Sequence, residues 1–167
     1  MPRDALLNER RLLWANCSNV RDLGGLPAHN GQGAQKTQPG RIVRSDVLAH
    51  LTADGWRTLV DHGVRTIVDL RSAREVEAQP YTVSEQALEA GLDRVNISML
   101  PLDAEMMQLL EQADTRGDEY ILFVETYEVP TAAILRTIAG AKPGGVIYHC
   151  QAGKDRTGII TALLLGL

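Results

Sequence analysis

The residues best equipped for chemistry cluster near the end of the chain, in His149-Cys-Gln-Ala-Gly-Lys-Asp-Arg-Thr-Gly158. Five residues separate Cys150 from Arg156. That spacing can curl the segment so that the sulfur lies at its base while the guanidinium fork closes over two oxygens of one tetrahedral oxyanion. Along the curl, the backbone N–H groups of Gln151, Ala152, Gly153, Lys154, Asp155 and Arg156 form an anion-binding nest. The positive end of a following helix adds to that nest. Gly153 permits the tight turn. The same donors favour a thiolate, drawing a free thiol from ~8.5 toward the ~3.5–7.5 of cysteines at helix N-termini or beside cations. An ionised sulfur beneath a bound phosphate is a nucleophile aimed at phosphorus.

Such a loop must hang between a strand and a helix, because ligands of α/β sheets sit beyond the carboxyl ends of strands. Residues 146–149 read as a short apolar strand and 159–165 as a buried helix. Upstream, residues 41–45 read as a strand, 52–62 as a helix ended by Gly63, and 64–70 as a strand rich in β-branched residues. Ser72-x-x-Glu75 has capping-box spacing for a helix that must stop before Pro80. A weaker strand is expected at 95–98, with helices at 104–112, 120–128 and 131–140. The alternation predicts an α/β domain with a central, mostly parallel sheet flanked by helices in three layers. Residues 29–40 have turn composition and read as a surface loop or hairpin.

Composition sets the limits. A chain of 167 residues, 44% hydrophobic and 23% charged, fits one ordinary globular domain. A net charge of −4 argues against general attraction to nucleic acid, so any anion must be gripped locally. No run approaches the ~20 apolar residues of a membrane span. No export signal is visible, and two cysteines without paired spacing fit a reducing, cytoplasmic setting.

The ten-residue string resembles the signature loop of protein tyrosine and dual-specificity phosphatases. Its Ala-Gly-Lys-Asp-Arg-Thr-Gly form looks most like bacterial members with combined phosphoprotein and phosphoinositide activity. Asn19-Val-Arg-Asp-Leu-Gly-Gly25, Arg44-Ser-Asp46 and Val68-Asp-Leu-Arg-Ser72 resemble the family's other recurrent segments, in order. The resemblance implies in-line attack by Cys150, a cysteinyl-phosphate intermediate and hydrolysis by water, with Arg156 and the loop amides stabilising the equatorial oxygens. It implies no metal and no cofactor. His149 resembles the histidine that orients the loop, and Thr157 the hydroxyl that bonds the sulfur and helps it leave. No Trp-Pro-Asp triplet exists, so two aspartates compete for the general acid: Asp155 inside the loop, favoured by the bacterial resemblance, and Asp103 upstream. Lys154 supplies a cation for the extra phosphates of a phosphoinositide. Expected partners are therefore phosphorylated proteins or phosphoinositides.

Other readings compete. A Walker loop is disfavoured, since Asp155 follows Gly153-Lys154 and Tyr148 replaces the first glycine. A non-catalytic phosphate-binding module is the alternative from another class, and a sulfur transferase a distant third. Gly31-x-Gly33 lacks the rest of a dinucleotide fingerprint. Cys17 reads as a structural thiol, His29, His50 and His62 as surface histidines, and Asp69 with Arg71, like Arg21 with Asp22, as pocket groups or structural pairs. Family members usually continue through further helices, so residues 1–167 are expected to form one domain whose last helix lacks cover, a patch that favours self-association.

Overall fold

In this computed structural model, residues 10–29, 34–99, 108, 111 and 113–166 are described. Asp103, and almost all of the helix expected over 104–112, lie outside them.

The parallel sheet begins with β4 (Ile42–Ser45), which follows three short strands, β1 (Arg21–Asp22), β2 (Pro27–His29) and β3 (Ala34–Lys36). After a 3-10 turn at Leu48–His50 come α1 (Ala53–Asp61), β5 (Val64–Asp69), α2 (Ala73–Ala78), α3 (Glu85–Glu89) and β6 (Asp93–Asn96). The chain continues with α4 (Arg116–Thr126), α5 (Glu128–Ala139), β7 (Gly145–His149) and α6 (Asp155–Gly166). Five strands form one sheet in the order β1-β4-β7-β5-β6. The four from β4 to β6 run parallel and β1 adds antiparallel at one edge. β2 and β3 pair antiparallel as a separate two-stranded sheet, β2 beginning two residues before the segment of turn composition and β3 lying within it.

Alternate residues of the central strands feed two cores. Val68, Val146 and Tyr148 pack with Phe123, Ile134, Ile138, Ile159 and Ile160 of α4, α5 and α6. Ile67, Ile147, Val43 and Val64 pack with Trp14, Trp56, Leu59 and Ala87 on the opposite face. Since neighbouring strand residues point to opposite faces, a run without polar interruption is what a sheet covered on both sides requires. The three-layer α/β architecture expected from the sequence is the one observed.

Several boundaries differ from expectation. α6 begins at Asp155, inside the loop, rather than at Ile159. α4 begins at Arg116 rather than Tyr120, capped by Thr115 through a capping box with Asp118. α5 starts at Glu128 and carries Pro130 in its first turn, where a missing N–H disturbs no helical bond. β6 lies two residues earlier than expected, and α3, capped by Ser84, was not anticipated. Among the described residues no helix is long and apolar enough to cross a membrane. α6 buries Thr157, Ile159 and Ile160, leaves Leu165 about half exposed, and borders an open apolar groove of about 510 Å3 shared with α4.

Candidate active site

β7 is the centre of the sheet, and its five residues are all buried. The loop therefore departs from the buried middle of the sheet. Its first turn is fastened to the neighbours of β7. Leu70 N–H donates to His149 O at 2.8 Å, and Val47 N–H donates to Gln151 O at 3.0 Å. Gly153 has φ +65°, and a Cβ there would lie 2.6 Å from both Asp46 N and Ser45 O. Only glycine fits that approach.

The loop carbonyls are held from outside. Asn19 Nδ2 donates to Gly153 O (2.8 Å) and Ala152 O (3.3 Å), and Arg44 Nη2 donates to Gly153 O at 2.6 Å. Asp46 in turn accepts the backbone N–H groups of Ser18 and Asn19 at 2.9 and 3.0 Å. A peptide whose carbonyl is tied outward presents its N–H inward, so these ties turn the N–H groups of Gly153 and Lys154 toward the inside of the loop. Gln151 Nε2 donates to Gln79 Oε1, and Gln79 Nε2 meets His50 Nε2.

Cys150 is 3% exposed, and Thr157 Oγ1 donates to its sulfur at 3.1 Å. Arg156 reaches across to α2, where Nη1 and Nη2 donate to the two Glu75 carboxylate oxygens, each at 2.7 Å. Nη1 also approaches Leu70 O at 3.4 Å. A guanidinium has five N–H donors. Glu75 and Leu70 together take three, two from Nη1 and one from Nη2, and among the described residues the Nε–Nη2 edge is left open with two N–H donors. Burial opposes the Arg156 charge, but the Glu75 bonds and the nearby Cys150 sulfur outweigh it and raise its pKa. Glu75 is pulled down to about 2 by the Arg156 bonds, against partial burial and with help from the Ser72 N–H. The same carboxylate completes the capping box of α2, so one residue starts a helix and aims the arginine.

Beneath the loop lies a buried polar network. His149 Nδ1 is 3.0 Å from Cys150 O and Nε2 is 2.8 Å from Tyr81 Oη. Burial pushes the His149 pKa down to about 4, outweighing the pull of Asp69. The ring is therefore neutral at pH 7. Because a carbonyl only accepts, Nδ1 carries the hydrogen and Nε2 accepts from the tyrosine hydroxyl. Tyr81 stays protonated, its pKa raised by burial and then by Asp69. Asp69 lies 3.7 Å from Nε2, and its ion pairs are with Arg71 (2.9 Å) and Arg94 (2.8 Å). Asp69 and Arg71 are thus a buried structural pair, the second of the two roles left open. Asp22 likewise pairs with His62 at 3.1 Å and accepts the N–H groups of Gly24 and Gly40. His62 is a half-buried partner of Trp14 and Asp22, not a surface histidine.

Asp155 starts α6 at the exposed rim, and Tyr120 Oη of α4 donates to its Oδ1 at 2.5 Å. Lys154 is exposed beside it. The sequence marks Glu75 only as a helix cap and Asn19, Arg44 and Asp46 only as parts of recurrent segments, while Gln79, Tyr81, Arg94 and Tyr120 carry no site signal in it. Glu75, Gln79 and Tyr120 lie on or beside helices and Tyr81 in a loop, so apart from the Ser72-x-x-Glu75 cap no local pattern marks them.

The tyrosine phosphatase family model matches residues 12–167. A Cupriavidus necator protein named "Putative tyrosine-protein phosphatase" is 31% identical over 92% of this chain and 56% of its own length. A tyrosine-protein phosphatase of Nostoc commune is 32% identical over 75% of the chain and 42% of its own. The triple specificity protein phosphatase PtpB of Mycobacterium tuberculosis is 30% identical over 79% and 57% respectively. The chain spans about half the length of these relatives. With the family model matched from Leu12 to the last residue, through the cysteine loop, this chain belongs to the tyrosine phosphatase family.

Proposed function

We propose that this chain hydrolyses phosphate monoesters, phosphotyrosine first, with phosphoserine, phosphothreonine and phosphoinositides as further substrates. The observation that carries the reading is the placement of Cys150 under the loop, its sulfur bonded by Thr157, beside an arginine already oriented by Glu75. In the first step Sγ attacks phosphorus, the bond from phosphorus to the ester oxygen breaks, and that oxygen takes a proton from an aspartic acid. In the second, water attacks the cysteinyl phosphate and gives a proton to the same carboxylate, and phosphate leaves with the thiolate restored. Thr157 stabilises the departing sulfur, and the open edge of Arg156 with the loop amides holds the equatorial oxygens.

Asp155 is the acid we favour, because it stands at the rim of the nest with its carboxylate held by Tyr120. Lys154, exposed at the same rim, supports the phosphoinositide reading. Turnover of para-nitrophenyl phosphate tests the whole: it is expected to vanish in Cys150→Ser, and survival of the rate would remove Cys150 as nucleophile. Comparing pH profiles of Asp155→Asn and Asp103→Asn locates the acid, whose replacement flattens the basic limb. Rates on phosphotyrosine peptide, phosphoserine peptide and phosphoinositide fix the substrate class. Equal phosphoinositide rates in wild type and Lys154→Ala would take Lys154 out of substrate recognition.

A further inference from the structure

Three arginines stand in one row across the edge of the main sheet. Arg11 forms an isolated antiparallel bridge with Arg21, and Arg21 is registered opposite Arg44 across β1 and β4. Directly opposed residues project to the same face, so three guanidinium groups share that face at strand spacings of about 4.8 Å. Arg44 is registered in turn against Tyr148, whose hydroxyl meets Thr161 of α6. The row thus lies on the α6 side, and it ends against the outer side of the loop, where Arg44 donates to Gly153 O.

Like charges placed opposite one another destabilise a sheet. Among the described residues, Arg11, Arg21 and Arg44 form no ion pair that would relieve this. Arg21 donates to its neighbour's carbonyl, Val20 O, and Arg44 Nε is buried without a hydrogen-bond partner among those residues. Partial burial first, and then the charges of Arg11, Arg44 and Arg10, lower the Arg21 pKa against the opposing pull of Asp46. In a chain of net charge −4 this concentration of positive charge is local.

We propose that the Arg11–Arg21–Arg44 row is an accessory anion site that receives a second phosphate group of a polyphosphorylated substrate while the Cys150 loop receives the first. The ligand chemistry is a polyol bearing two or more phosphates, free or as a lipid headgroup. The proposal rests on the phosphatase reading for turnover of the first phosphate, but occupancy of the row is measurable without turnover.

The test uses the full chain and the double variant Arg11→Gln/Arg21→Gln, with Arg11→Lys/Arg21→Lys to keep the charge. Calorimetry in the Cys150→Ser background measures binding of inositol 1,4,5-trisphosphate, of dioctanoyl phosphatidylinositol 4,5-bisphosphate and of inorganic phosphate. The glutamine pair is expected to weaken the trisphosphate at least tenfold relative to inorganic phosphate and to reduce the salt dependence of binding, whereas the lysine pair restores most of both. Equal affinity for the free headgroup and the lipid identifies a soluble polyol phosphate, and tighter lipid binding identifies a lipid; either supports the site. Unchanged trisphosphate binding, or the same loss for trisphosphate and inorganic phosphate, overturns it. Selective loss of trisphosphate binding in a chain that turns over no substrate would uphold the row and sink the phosphatase reading.

Discussion

Glu75 decides where the Arg156 guanidinium points, and two 2.7 Å bonds leave it little rotational freedom. Glu75→Ala is expected to lower kcat/KM by about 10²-fold, the scale of a misplacement near 1 Å, with KM rising as the oxyanion loses its fork. Steady-state kinetics check this, and the conservative Glu75→Gln should recover part of the loss. Because the Glu75 pKa lies at about 2, below the ordinary 4.5, its contribution to stability is complete above pH 4.5 and disappears as pH falls toward 2. Unpairing is therefore no cause of activity loss near neutrality. At this scale the sequence was legible where the chemistry is contiguous: Cys150, Arg156 and Thr157 fall within one turn, and spacing alone brings them together. Glu75 was visible as a helix cap, yet its second role depends on a contact 81 residues away that no local pattern encodes. Tyr81 and Gln79 were silent for the same reason.

Among the elements, α5 holds a defect that is simple to probe. Thr131 is 4% exposed, and its hydroxyl has no hydrogen-bond partner among the described residues. Thr131→Val keeps the shape and removes the desolvated oxygen, so stability is expected to rise by about 1 kcal/mol, read as a higher urea midpoint at unchanged slope. A lower midpoint would mean that the hydroxyl is satisfied after all. Ser72→Ala opens the capping box of α2, which costs about 1 kcal/mol, and also releases one constraint on Glu75, so stability and kcat/KM should fall together. Strand β5 was legible because its β-branched run is buried on both faces and interrupted by little. The start of α6 was not, because apolar periodicity begins only at Ile159, while the first turn is polar. The start of α4 was missed because its box uses Asp118 where glutamate is the usual partner.

For the molecule as a whole, the buried neutral His149 makes stability depend on pH. Its pKa is lowered from 6.5 to about 4, so below pH 6.5 the unfolded chain takes up a proton that the folded chain refuses. Stability is expected to fall by a few kcal/mol as pH drops from 6.5 toward 4, at about 1.4 kcal/mol per unit while the gap persists. Urea midpoints at pH 7, 6 and 5 measure the slope, and a His149→Gln variant should show less of it. The two-sided core has a further consequence for spectroscopy. Both of the chain's tryptophans, Trp14 and Trp56, sit in the layer behind the sheet, and the layer carrying α4, α5 and α6 has none. Intrinsic fluorescence will therefore watch one half of the protein and stay blind to the other. A tryptophan introduced at Phe123 would give the dark layer its own reporter, and comparing the two emission signals during denaturation would reveal whether both halves melt as one.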